Sequence, residues 1–165
     1  MDEIVVIGIG NPDRGDDAVG LAVARELKQE ALPGVTVIEH RGDAADLVEL
    51  LAGTDAVVLV DAAVSGTAPG TFRRIDVHRE TLPASWFACS THGLGLATAI
   101  ELAGTLGSLP SRCVVYAIEG TIFDHGAAIS SGVLATIPSV RESIRRDLAL
   151  FKSEMNRAEA EERHA

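Results

Sequence analysis

Long apolar runs are missing from this 165-residue chain. None reaches the roughly 18 residues that a bilayer-spanning helix needs, and no charged-then-apolar leader opens the sequence. A cytoplasmic protein with no membrane partner is expected. Basic charge is scarce too: 14 Lys and Arg stand against 24 Asp and Glu, for a formal net charge of −10. That balance excludes a nucleic-acid partner, which demands a basic face, and otherwise speaks mainly to solubility. Cysteine is limited to Cys89 and Cys113, at no metal-ligand spacing. A disulfide is not expected in a reducing compartment, and Cys113, opening an apolar run, reads as a buried thiol. Two motifs are absent as well. No Gly-x-Ser-x-Gly nucleophile elbow is present, and the third glycine of a dinucleotide-binding turn beginning at Gly8-x-Gly10 is replaced by Asp13.

What is present is apolar enough to fold. Hydrophobic residues make up 47% of the chain and the mean hydropathy is +0.21, too high for disorder, and the length suits one domain. We expect that domain over residues 1–152, with 153–165 a charged tail, frayed or disordered. The continuous β-branched run Ile4 to Ile7 suits a strand covered on both faces. A helix over about Asp17 to Gln29 follows, then a strand over Val35 to Glu39, a loop His40-Arg41-Gly42-Asp43, and a helix over Ala44 to Leu51 with Gly53 as C-cap. Ala56 to Val60 is the most apolar strand and should be central, stopping on Asp61. The connection Ala62 to Gly70 is too short for a helical crossover, so Thr71 to Val77 should return antiparallel at an edge. A helix from about His92 to Leu106 is capped by Ser90 or Thr91. A strand over Cys113 to Ile118 and a last helix over Val133 to Leu150 complete the chain. The fold class is α/β: a three-layer α/β/α sandwich whose mostly parallel five-stranded sheet has one antiparallel edge strand.

Function in such sheets gathers at the carboxyl ends of the parallel strands. Three segments deliver polar groups there: the loop Gly10 to Asp17, Asp61, and Glu119-Gly120. The segment Ser90 to Gly95 opens a helix that faces the same cleft. Two carboxylates and an imidazole from separate segments could hold a divalent cation while leaving positions open for substrate. Each also has a bland role. Asp16 and Asp17 suit a helix N-cap or first turn, His92 alone is weak evidence of ligation, and Glu119 suits a turn cap or support of a ligand. Asp61, directly after five apolar residues, is desolvated and needs a partner. The paired acids at the helix start would repel a pyrophosphate, although Glu39 ends a strand where a ribose-binding acid could sit.

Gly10-Asn11 with Asp16-Asp17 and Gly20, then Val60-Asp61-Ala62, Ser90-Thr91-His92-Gly93 and Ile118-Glu119-Gly120, resemble the hydrogenase maturation endopeptidases over roughly residues 3–150. Ile129-Ser130-Ser131-Gly132-Val133 before the last helix fits the same pattern. The resemblance implies an enzyme that removes a short C-terminal peptide from the precursor of a nickel–iron hydrogenase large subunit, once nickel is inserted. It implies further that Asp17, Asp61 and His92 recognise that nickel, leaving Asp16 as the cap. Nickel is then supplied by the precursor, with another divalent cation such as cadmium or zinc able to stand in its place. Members often carry Glu where this chain has Asp17. Some read Asp-Gly-Gly where this chain has His40 to Asp43, so its choice of precursor should differ, and His40 receives no catalytic role. A monomer that processes this precursor is expected, by water attack and without a Ser or Cys nucleophile. The alternatives are a nucleotide-binding Rossmann-like protein and a non-enzymatic metal carrier.

Overall fold

Six consecutive residues, Ile4–Ile9, are all buried, which only a strand enclosed by helices on both sides permits. They form β1. The computed structural model describes residues 3–87 and 95–165; the expected caps Ser90 and Thr91, together with His92 and Cys89, lie outside them. The remaining strands are β2 (Val35–His40), β3 (Ala56–Ala63), β4 (Phe72–Asp76) and β5 (Arg112–Glu119), and the helices are α1 (Val19–Gln29), α2 (Ala44–Ala52), α3 (Gly95–Leu106) and α4 (Ser131–His164). The sheet order is β2-β1-β3-β5-β4. β1 lies parallel to β2 and β3, β3 lies parallel to β5, and β4 pairs antiparallel with β5 at the edge. The α/β sandwich with one antiparallel edge strand is therefore present, with β3 at its centre.

Side-chain alternation along the strands divides the core in two. Ala56, Val58, Val60 and Ala62 join Val114, Tyr116 and Ile118 beneath α1 and α4. Val57, Leu59 and Ala63 join Val115 and Ala117 beneath α2 and α3. Asp61 belongs by this alternation to the α2/α3 face. Cys113, on that face, is fully buried and free. Burial first, and the charge of Asp76 second, push its thiol up to about 12.

Most boundaries lie within a residue or two of the sequence reading, and three differences have a physical cause. A turn of 3-10 helix, Gly15–Ala18, precedes α1, so Asp17 sits in that turn rather than in the α-helix. β3 does not stop at Asp61 but runs to Ala63, because Asp61, Ala62 and Ala63 still pair with Ala117, Ile118 and Glu119 of β5. α4 extends through the charged segment after residue 152 as far as His164. Met155 there is buried, and Glu154 ties the helix to Arg112 of β5 at 2.7 Å.

Candidate active site

The loop after β1 is brought to β3 by close backbone approach. A Cβ on Gly20 would stand 2.3 Å from the Val60 carbonyl oxygen and 2.4 Å from that of Ile9, and one on Gly10 would stand 1.9 Å from the Asp17 carbonyl oxygen. Only glycine permits either contact. The loop's path is fixed further by the Gly10 amide donating to the His40 carbonyl at 3.0 Å. Asp17 is 2% exposed, and its Oδ2 accepts from the Asn11 amide at 3.0 Å.

Asp61 is also 2% exposed. Its Oδ1 has no hydrogen-bond partner among the described residues. Burial, then the like charge of Asp17, hold this carboxyl well above the usual carboxylate range, against a hydrogen bond from the Ala62 amide. A buried acid with one oxygen unmatched and a second acid close by is a costly arrangement. It becomes favourable when a cation or a proton is shared there.

Asp16 does something different from the capping expected of it. The residue that caps the 3-10 turn is Arg14, without a side-chain cap bond. Asp16, fully buried, instead clasps the loop between β5 and α4. Its Oδ2 accepts from the amides of Thr121 at 2.8 Å and Ile122 at 2.9 Å, and its Oδ1 from the Ser130 amide at 2.7 Å and hydroxyl at 2.9 Å. Burial would raise this carboxyl, but the bonds from Ile122, Thr121 and Ser130 outweigh it and hold the group below its ordinary value. Its partners lie more than a hundred positions away, so no local pattern could have disclosed the role. Glu119, at the end of β5, caps a turn as one of its two readings anticipated. Its carboxylate accepts from the Ser65 amide and hydroxyl at 3.0 and 2.7 Å and from the Gly66 amide at 3.1 Å.

His92 lies outside the described residues. The described helix that follows it, α3, starts at Gly95, where a Cβ would stand 1.8 Å from the Gly42 carbonyl oxygen. The start of α3 is thereby pressed on the His40–Asp43 loop, on the sheet face that Asp61 shares. In that loop His40 Nδ1 accepts from the Gly42 amide at 2.8 Å, and Asp43 caps α2 through the Asp46 amide at 3.1 Å. Among the described residues no group of three His, Cys, Asp or Glu side chains converges to hold a metal ion. Two buried carboxylates are there, and oxygen and imidazole donors suit first-row divalent ions.

The hydrogenase maturation protease family model, of the HycI type, matches residues 21–147. The chain belongs to the hydrogenase maturation protease family. It is accordingly a hydrolase, a protease of hydrogenase maturation. The matched span contains Asp61 and His92 and begins just after the loop that carries Asp17. The hydrogenase 2 maturation protease of Escherichia coli K12 is 28% identical over 145 residues, covering 86% of this chain and 87% of its own. The hydrogenase expression/formation protein HupD of Thiocapsa roseopersicina is 24% identical over 152 residues, covering 90% and 69%. Among solved structures, the nickel–iron hydrogenase maturation protease HycI of Thermococcus kodakarensis is 30% identical with a TM-score of 0.65, covering 86% of this chain and 89% of its own. The E. coli endopeptidase HybD, at 24% identity and a TM-score of 0.73 over 89% and 92%, shares the fold.

Proposed function

We propose that the protein removes the C-terminal peptide from the nickel-loaded precursor of a nickel–iron hydrogenase large subunit, with Asp17, Asp61 and His92 as the residues that read the nickel and carry the chemistry. The single observation behind this reading is Asp61, a buried carboxyl with an unpartnered oxygen beside a second buried acid. The nickel belongs to the substrate. Binding it between two carboxylates and an imidazole sets the scissile amide in the cleft, which gives proximity and a check that metal insertion is complete.

Hydrolysis then needs a water and a base. Water attacks the carbonyl carbon, a carboxylate takes its proton, the C–N bond breaks, and the proton passes to the departing nitrogen. The candidate base is the carboxylate of Asp17 or Asp61, ionised when the precursor's cation lies between them. A thiol mechanism gains nothing from Cys113, which is buried and protonated at neutral pH. We place the reaction in the cytoplasm with the enzyme as a monomer; no described helix is long and apolar enough to cross a membrane.

Mass spectrometry of the purified precursor, incubated with the protein with and without nickel, tests the reading. The expected result is loss of a C-terminal peptide only from nickel-loaded precursor, and no loss with Asp17→Ala, Asp61→Ala or His92→Ala. Undiminished processing by Asp61→Ala overturns it. Metal binding without any change in precursor mass would instead favour a carrier.

A further inference from the structure

A groove of about 280 Å³ opens on the α2/α3 face between the end of β3 and the edge strand β4. Its floor is Ala63 and Ala117, whose small side chains leave the space empty, and Trp86 and Arg73 form its wall. The strand register makes it continuous with the candidate active site. Asp61 of β3 pairs with Ala117 of β5, and Ala117 pairs with Arg73 of β4. Asp61, Ala117 and Arg73 therefore form one row across three strands, on one face of the sheet. Neighbouring strands lie about 4.8 Å apart, so two steps put the Arg73 backbone roughly 10 Å from that of Asp61. An extended chain covers that span in about three residues.

The groove's lining holds one cation, Arg73, and one anion, Glu119, and only the cation faces a partner it can exchange. Glu119, its carboxylate, is consumed internally by Ser65 and Gly66. Arg73 stacks on Trp86 with its guanidinium carbon 5.2 Å from the ring centroid, and the Trp86 carbonyl is held by the Val64 amide at 2.8 Å. A stacked guanidinium keeps its N–H groups in plane and free to fork onto a carboxylate. Its present partner, Glu80 at 2.8 Å, forms a pair whose side chains are 57% and 43% exposed, weak and readily exchanged.

We propose that this groove is a specificity subsite for the protein substrate. It seats an extended segment whose acidic side chain, about three residues from the bond held at Asp61, lies on Arg73. β4 is the edge strand of the sheet, so a segment that crosses the row from Asp61 to Arg73 runs on past the edge. A side-chain carboxylate fits that course better than a chain terminus. The proposal rests on the endopeptidase reading for its meaning, but its binding chemistry can be measured separately.

Trp86 is the only tryptophan of the chain, so its emission reports the groove directly. The full chain is titrated with a blocked Gly/Ala hexapeptide bearing one central Glu, with its Gln and Lys twins, and with a Glu-free peptide ending in a free carboxylate. The Glu peptide should shift Trp86 emission saturably and bind about tenfold more tightly than the Gln twin, the scale of one charge-assisted fork. Arg73→Gln should erase that difference and Arg73→Lys keep part of it. In processing of nickel-loaded precursor, Arg73→Gln should raise KM about tenfold while kcat changes less than about twofold. Equal responses to Glu, Gln and Lys, a preference that survives Arg73→Gln, or a response confined to the free-carboxylate peptide overturns the subsite. Binding of the Glu peptide by a protein that leaves the precursor uncut supports the subsite and sinks the endopeptidase reading instead. Cutting without any Glu preference sinks the subsite alone.

Discussion

Two buried aspartates, Asp16 and Asp61, serve opposite ends. Asp16 spends both oxygens on four donors from the β5–α4 loop, and such bonds to a charged group are stabilising. Asp61 leaves an oxygen unmatched, and burial with the like charge of Asp17 raises its carboxyl above the usual range. Their alanine and amide variants should therefore separate stability from activity. Asp16→Ala leaves those donors buried without an acceptor and should cost about 2–4 kcal/mol, read as a fall in the urea midpoint. Asp61→Asn removes an ionisable group from an apolar setting, and its Tm should equal or exceed that of the parent while processing is lost, the usual trade at a strained functional position. A large drop in Tm for Asp61→Asn would mean that this carboxyl supports the fold instead. Sequence reasoning distinguished Asp61 because an acid after five apolar residues is conspicuous in any strand. It could not separate Asp16 from Asp17, because what separates them is contacts with residues 121–130.

Between elements, the decisive contact is α1 against β1 and β3 at Gly20. Gly20→Ala drives a methyl into two backbone oxygens at 2.3 and 2.4 Å, neither of which can yield without moving a strand. It should cost more than about 3 kcal/mol, on the scale of severe overpacking, or prevent folding outright. A Cβ added at Gly104 in α3 would have nothing within 4 Å, so Gly104→Ala should stabilise by about 0.5–1 kcal/mol through helix propensity. Thermal melts of the two variants check the contrast. α1 and α4 are joined by Glu30, which accepts from Arg141 and Arg145, each at 2.6 Å. The Arg145 bond first, and Arg141 after it, hold Glu30 at about 2 against an ordinary 4.5. A lowered native value means the clamp contributes fully above about pH 4.5 and is lost as pH falls toward 2. Glu30→Gln should accordingly cost about 1 kcal/mol near neutrality after solvent screening, and the gap between the two Tm curves should close over that window. Strands and most helices were legible because their apolar periods are unbroken. The end of β3 was not, since it is the register with β5, rather than any residue within the strand, that carries pairing to Ala63. The far end of α4 was obscured for a related reason: Lys, Glu, Arg and Ala form helices readily but bury little, and only Met155 and the Glu154–Arg112 pair disclose the packing.

Across the whole molecule, the edge of the sheet is fastened to the far helix by one buried polar group. Asp147 of α4 receives Arg74 of β4 through Nε at 2.9 Å and Nη2 at 2.8 Å, and it receives the Tyr116 hydroxyl of β5, which also meets Ser143 at 2.9 Å. Burial and the Asp147 bond push the Tyr116 hydroxyl well above its ordinary value. Asp147→Ala should cost about 1–3 kcal/mol, because the buried Tyr116 hydroxyl loses an acceptor while Arg74, with its side chain 38% exposed, is partly solvated, with a matching fall in the urea midpoint. Because β4 carries Arg73, the same variant should loosen the groove and weaken the Glu-peptide response more than it changes metal recognition. The buried thiol of β5 has a use of its own. Cys113 lies between β3 and β4 with no exposed surface, so an alkylating reagent reaches it only when the sheet parts. In a Cys89→Ser background, the rate of its modification counts those partings one by one, and the enzyme carries a clock for its own rare openings.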